Sequence, residues 1–78
     1  MVDPRFPSMK AKALLRILRR DLGYTVARRK GSHQRLVSPD HPPFTWGFHD
    51  GRSLAPGEVS NVLCGDVGLD VDTALELL

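Results

Sequence analysis

The chain has 78 residues, a length typical of one small domain whose core is only marginally large enough for stability. Its single cysteine excludes an intramolecular disulfide, and it also excludes a Cys-based zinc site, which needs several thiolates. No run of residues reaches the apolar length of a membrane span, and the first residues lack the apolar segment of a signal peptide. We therefore expect a cytoplasmic protein that has no membrane partner.

The charged residues are distributed unevenly, although the net charge is only +2. Cations dominate the first half of the chain, whereas Arg52 is the only cation after Arg35. This asymmetry favours a nucleic-acid surface on the first half, while the alternative is a solvated helix face that happens to be basic. The basic cluster Arg28–Lys30 favours the phosphate-binding surface.

The first eight residues differ in pattern from the rest of the chain. Residues 1–8 contain two prolines and no periodicity, so we expect a disordered leader, followed by a single domain over residues 9–78. Apolar residues at helical spacing then predict a helix that begins at Met9. Ser8 is the predicted N-cap of this helix, and Gly23 suits the position just after its end.

Three strands are predicted in the middle of the chain. "YTVARR" and "HQRLVS" are joined by a Gly31–Ser32 turn, where glycine can adopt a positive φ, and together they predict a hairpin. In "FTWGFH" the aromatic residues share one face, which we expect to pack beneath the helices. The alternative is an exposed platform on which bases stack. The other face of this strand carries Thr45, Gly47 and His49.

Two further helices are predicted in the last third of the chain. Pro56 fits the first position of the second helix, and Gly65 or Gly68 ends it. Asp70 is the predicted cap of a short C-terminal helix. The predicted inward residues of that last helix are Val71, Ala74, Leu75 and Leu78. The fold class is therefore α+β: a three-stranded antiparallel sheet with helices on one face, in the α-β-β-β-α order of double-stranded-RNA-binding domains, plus a short C-terminal helix.

The histidines are the candidate catalytic residues. Their spacing supplies no third ligand for a metal site, and no nucleotide-binding glycine motif is present, so we expect neither a metal nor another cofactor. His33 comes directly after the basic cluster and the turn, and an imidazole can accept or donate a proton near neutral pH. RNA supplies its own nucleophile, the 2′-hydroxyl, so His33 is a candidate general acid and base. The alternative is a polar hairpin residue without a catalytic role.

From Met9 to about Leu69 the sequence resembles the HicA toxins of bacterial type II toxin–antitoxin systems. The resemblance rests on "LLRILRRDLGY", on "RRKGSHQRLVSPD" with its Gly-Ser-His element, and on "TWGFHDGRSLAPGEVSNVLCGDVGL". It implies a fold like that of double-stranded-RNA-binding domains, endoribonuclease activity on mRNA, and neutralisation by a HicB-like antitoxin. The family's catalytic histidine corresponds to His33, and a later histidine, a candidate for an accessory function, corresponds to His49. The predicted RNA-binding residues are Arg28, Arg29, Lys30, Gly31, Ser32 and Arg35.

Two other functions stay open on the sequence. One is a non-catalytic RNA-binding module of the same fold. The other is a protein-interaction subunit whose acidic C-terminal half docks a basic partner. A neighbouring HicB-like reading frame would favour the toxin over both.

Overall fold

The computed structural model describes residues 2–78. The elements are β1 (Met9–Lys10), α1 (Ala11–Asp21), β2 (Thr25–Lys30), β3 (His33–Val37), β4 (Phe44–Trp46), β5 (Ser53–Leu54), α2 (Pro56–Ser60), a π-helical segment (Asn61–Asp66) and α3 (Val71–Leu77). Strands β2, β3 and β4 form the central antiparallel sheet, in that order, and strands β1 and β5 form a second, two-stranded antiparallel pair. This arrangement confirms the predicted α+β class, the three-stranded antiparallel sheet and the short C-terminal helix.

Helix α1 begins two residues later than the sequence predicted. Met9 pairs with Leu54 across the β1–β5 ladder, so the backbone is extended where the apolar periodicity already suggested a helix. The predicted N-cap Ser8 is wrong: the N-cap position belongs to Lys10, whose side chain makes no capping hydrogen bond. The first amides of the helix are satisfied by a distant loop instead. The Ala11 amide donates to the carbonyl oxygen of Arg52 at 2.8 Å.

The β2–β3 hairpin agrees closely with the sequence prediction. Gly31 has a φ of 61°, and Lys30 pairs with His33 on either side of a two-residue turn. A positive φ at the first turn residue and not at Ser32 is the pattern of a type II′ turn, whose twist matches that of the flanking strands. The C-terminal end of α1 also agrees with the prediction, because Gly23, the residue just after the C-cap Leu22, has a φ of 71°.

The inner face of the sheet packs against the helices. Trp46 is 1% exposed and Phe44 is 7% exposed, so the predicted packing of the aromatic face is confirmed, and the alternative base-stacking platform is wrong. Strand β4 ends at Trp46 rather than at His49, because its partner β3 begins at His33 and offers almost no further backbone for pairing. The core that these residues join contains Phe6, Ala11, Leu14, Leu18, Tyr24, Leu36, Leu54, Val59, Val62, Leu63, Val67 and Ala74.

The described part of the predicted leader is packed onto the domain. Phe6 is 3% exposed and belongs to the core, which differs from the disordered leader expected over residues 1–8. Because Phe6 buries a whole aromatic ring, it can offset the entropy lost by ordering the proline-containing segment around it. The Arg5 guanidinium donates two hydrogen bonds to the Asp3 carboxylate and the Arg5 amide donates a third, and these lower the pKa of that carboxyl to about 2. Met1 lies outside the described residues, and the single domain over residues 9–78 stays a prediction.

The last third of the chain contains a helix of mixed geometry and a capped short helix. Helix α2 begins at Pro56 as predicted and continues into the π-helical segment, and the turn to α3 passes through Gly68 at a φ of 86°. The Asp70 side chain accepts a hydrogen bond from the Thr73 amide at 2.7 Å, and this bond lowers the pKa of the Asp70 carboxyl. The predicted cap is therefore confirmed.

The predicted inward face of α3 is only partly correct. Ala74 is fully buried and Leu75 packs against the core. Val71 and Leu78 are 36% and 40% exposed, because they lie at the first residue of α3 and just after its last residue, on either side of the turn around Ala74 that packs against the core. Within residues 2–78, no helix combines the length and the apolar character needed to cross a bilayer.

Candidate functional site

The outer face of the sheet carries a row of basic residues on adjacent strands. In the antiparallel register, Arg28 of β2 lies opposite Arg35 of β3, and Lys30 lies opposite His33. Side chains two residues apart on a strand point to the same face, so these four side chains share one face of the hairpin. All four are exposed, because the helices cover the other face.

A shallow cavity of about 480 Å³ lies on this outer face, and we call it the sheet cavity. Its lining contains four cations and one imidazole but no carboxylate. None of the ion pairs described between residues 2 and 78 involves one of these cations, so their charge is uncompensated and suits an anionic ligand. The lining residues are Arg28, Arg29, Lys30, His33, Arg35 and Thr45.

The sheet cavity brings together most of the residues that the sequence singled out. Gly31 and Ser32 form the turn between Lys30 and His33, at the same end of the hairpin. Arg29 lies opposite Gln34, in the alternate register position, and it nevertheless contributes to the lining.

Thr45 is a lining residue that the sequence did not single out. It lies opposite Arg35, and the Arg35 Nη1 group donates a hydrogen bond to Thr45 Oγ1 at 3.3 Å. This contact fixes one cation of the cavity against the neighbouring strand. The alternation of side chains along β4 already predicted that Thr45 lies on the face away from the aromatic residues. The residues that Thr45 contacts on β3 depend on the strand register, which the sequence pattern of β4 does not show.

The His33 imidazole lies against the end of β4. Gln34 pairs with Trp46 and Arg35 with Thr45, so the next position places His33 opposite Gly47. A Cβ atom added to Gly47 would lie only 3.0 Å from His33 Cδ2 and 3.2 Å from His33 Nε2. The imidazole therefore occupies space that a side chain at position 47 would need.

The other two histidines lie elsewhere. His49 is exposed in the loop after β4, where its carbonyl oxygen accepts a hydrogen bond from the Arg52 amide at 3.0 Å, and it does not line the sheet cavity. Its accessory function stays a prediction. His41 stacks on Tyr24 with ring centroids 6.1 Å apart. The Tyr24 hydroxyl donates to the carbonyl oxygen of Pro42 at 2.7 Å, so this corner has a packing role.

A second cavity, of about 580 Å³, lies between α1 and the start of β2. It is basic as well, but Asp50 is part of its lining, and Arg20 is already paired with Asp21 at 3.1 Å. It contains no histidine or cysteine, so it lacks a group that exchanges protons near neutral pH. The sheet cavity is therefore the better candidate for chemistry, although it is the smaller one. Between residues 2 and 78, no cluster of three or more His, Cys, Asp or Glu residues is placed to hold a metal ion.

A sequence model described as "HicA toxin of bacterial toxin-antitoxin" matches residues 11–69 of the chain. The chain belongs to the HicA toxin family. No curated protein and no solved structure matches the chain significantly. The matched range includes the whole three-stranded sheet and the sheet cavity, whereas α3 and the segment containing Phe6 lie outside it. As a HicA-family toxin, the protein belongs to a toxin–antitoxin system, in which a cognate antitoxin is its partner.

Proposed function

We propose that this HicA-family toxin is an endoribonuclease that cleaves mRNA in the sheet cavity, with His33 as general acid and base. One observation carries the proposal: an exposed imidazole lies among four uncompensated cations on an open face of the sheet. A phosphodiester chain needs positive charge to hold it, and its 2′-hydroxyl needs a group that removes a proton. Both requirements are met within a single shallow cavity.

The proposed reaction begins at the 2′-hydroxyl beside the scissile phosphate. His33 accepts the hydroxyl proton as the 2′-oxygen forms a bond to phosphorus, and the bond from phosphorus to the 5′-oxygen breaks. The departing 5′-oxygen takes a proton from the imidazolium or from water. The products are a 2′,3′-cyclic phosphate, which can be hydrolysed afterwards, and a 5′-hydroxyl. The reaction needs no metal ion, because the RNA supplies the nucleophile.

The basic side chains would act on the charge that develops at the phosphate. Negative charge accumulates on the non-bridging oxygens as the 2′-oxygen attacks, and fixed cations stabilise it best when they need not rearrange. The Arg35 guanidinium is held by Thr45, and Arg28 lies directly opposite it. The turn amides of Gly31 and Ser32 are further candidate donors, because successive amides in a tight turn form a concave anion site.

RNA binding without cleavage is the second candidate function, and the same exposed cations support it. The two candidates differ only in what His33 does. A catalytic His33 makes cleavage depend on the imidazole while RNA binding does not, whereas a purely binding protein shows no cleavage that depends on this side chain.

We expect RNA cleavage by the purified protein to persist in EDTA and to leave a 2′,3′-cyclic phosphate or its hydrolysis product. A single 2′-deoxy substitution at the cleavage site should block the reaction, because it removes the proposed nucleophile. The matched control carries the same substitution several nucleotides away and should be cut normally. Mass spectrometry of the fragments identifies the new ends. Efficient cutting at the deoxy position would make water the nucleophile and overturn the proposed mechanism.

We expect the antitoxin to be HicB-like and to cover the sheet cavity. Its contact surface should carry carboxylates, because covering Arg28, Arg35 and Lys30 without partners would cost their hydration. Association should slow as salt concentration rises, since ions screen the attraction that steers the two proteins together. Stopped-flow association measured over a range of salt concentrations checks this prediction. A purified complex that left His33 open to solvent and still cleaved RNA would contradict neutralisation by occlusion.

A further inference from the structure

Gly47 lies directly beneath the proposed catalytic imidazole. It is the cross-strand neighbour of His33 at the end of the β3–β4 pairing, on the outer face of the sheet. The distances of 3.0 Å and 3.2 Å from an added Cβ to His33 Cδ2 and Nε2 are shorter than the roughly 3.5–4.0 Å of favourable carbon contacts. A side chain at residue 47 would therefore require the exposed ring to move by a few tenths of an ångström.

The backbone at Gly47 does not itself require glycine. Among residues 2–78, the glycines with a positive φ are Gly23, Gly31 and Gly68, and Gly47 is not one of them. An L residue could adopt the Gly47 conformation without backbone strain. Apart from the two residues that adjoin Gly47 in the chain, the atoms that an added Cβ would meet within 4 Å belong to the His33 imidazole. The structural consequence of a side chain at this position thus falls on the imidazole alone.

We propose that Gly47 is a positioning residue for His33, an inference that rests on the proposed function. Because Gly47 has no side chain, the His33 imidazole can pack against the backbone just after β4. The Cδ2–Nε2 edge of the ring faces residue 47. In this position the ring remains beside Lys30 and Arg35, whose side chains share its face. Gly47 would act through His33 and would not touch the RNA phosphate itself.

Gly47→Ala tests this role. The added methyl group should push the exposed imidazole aside without unfolding the domain, since the ring is the free end of a side chain on the surface. The ring needs to move by only a few tenths of an ångström, which is less than the displacement of about 1 Å that can lower a rate by about a hundredfold. We therefore expect kcat for cleavage of an RNA oligonucleotide to fall by about two- to tenfold, with little change in KM. The Cδ2–H resonance of His33 in NMR spectra should shift.

Gly51→Ala is the matched control. Gly51 also lacks a positive φ, and an added Cβ there would meet no atom within 4 Å. The same chemical change should therefore leave both kcat and the His33 resonance unaltered. In the His33→Ala background, Gly47→Ala should cause no further loss of residual cleavage, because its effect passes through the imidazole.

The possible failures are distinguishable. If His33→Ala abolishes cleavage while Gly47→Ala cleaves like the wild type, the positioning role is wrong and the proposed function stands. If the wild-type protein does not cleave RNA, the proposed function fails, and the contact between Gly47 and the His33 imidazole then has no catalytic role. An unchanged His33 resonance in a folded Gly47→Ala protein would overturn the contact whether or not the protein is a ribonuclease.

Discussion

His33→Ala should lower RNA cleavage by about two to four orders of magnitude, the contribution typical of a general acid or base. The domain should remain folded, because His33 is an exposed residue at the start of β3 and belongs to no part of the core. Surface substitutions of this kind change stability by no more than about 0.5 kcal/mol. Single-turnover cleavage assays, together with thermal unfolding of both proteins, measure the two expectations separately.

The controls for this substitution separate proton transfer from binding. His33→Gln keeps hydrogen-bonding capacity but cannot exchange a proton at neutral pH, so it should be about as inactive as His33→Ala. RNA affinity should change little in either variant. His49→Ala tests the accessory function, and we expect a much smaller loss because His49 does not line the sheet cavity. A folded His33→Ala protein with full activity would remove His33 from the mechanism.

Reversing the charge of Arg28 and Arg35 together should weaken RNA binding at least about tenfold near physiological salt. These residues lie opposite each other in the sheet cavity, and we expect each to contact a phosphate. Log affinity falls as log salt concentration rises, and each lost phosphate contact makes this fall shallower by about one unit of slope. The double variant should therefore have a slope that is shallower by about two. Fluorescence anisotropy of labelled RNA over a salt series measures both quantities.

A matched double reversal distinguishes the sheet cavity from general basicity. Arg16 and Arg19 on α1 line the other cavity, and changing both to glutamate alters the net charge of the protein by the same amount. If the α1 variant loses as much affinity and as much salt dependence as the sheet variant, RNA binding is not localised to the outer face of the sheet. We expect the sheet variant to lose cleavage as well, because the bound phosphate would no longer lie beside His33.

Elements set by local chemistry were predicted correctly from the sequence. The Gly31 turn, the proline start of α2 and the Asp70 cap depend on residues within one turn of each other. A positive φ at Gly31 needs no distant partner, because glycine has no Cβ to oppose it. The family resemblance from Met9 to about Leu69 likewise agrees with the matched range of residues 11–69.

Features that depend on distant partners were the ones missed. The strand at Met9 exists because Leu54, far along the chain, pairs with it, and this pairing displaced the Ser8 cap. The burial of Phe6 depends on an apolar pocket that many separate segments build together. Neither partner can be inferred from the few residues surrounding Met9 or Phe6.

The sequence by itself determined the α+β class and the hairpin, and it singled out a candidate catalytic residue with basic neighbours. The fold class and the hairpin are set by hydrophobic periodicity and by turn residues. The candidate residue came from the order of charges along the chain together with the family resemblance. Only the tertiary structure decided that Thr45 holds Arg35 and that Gly47 lies beneath His33. Those contacts are set by the register of β3 against β4, and a shift of a single residue would turn each side chain to the opposite face of the sheet.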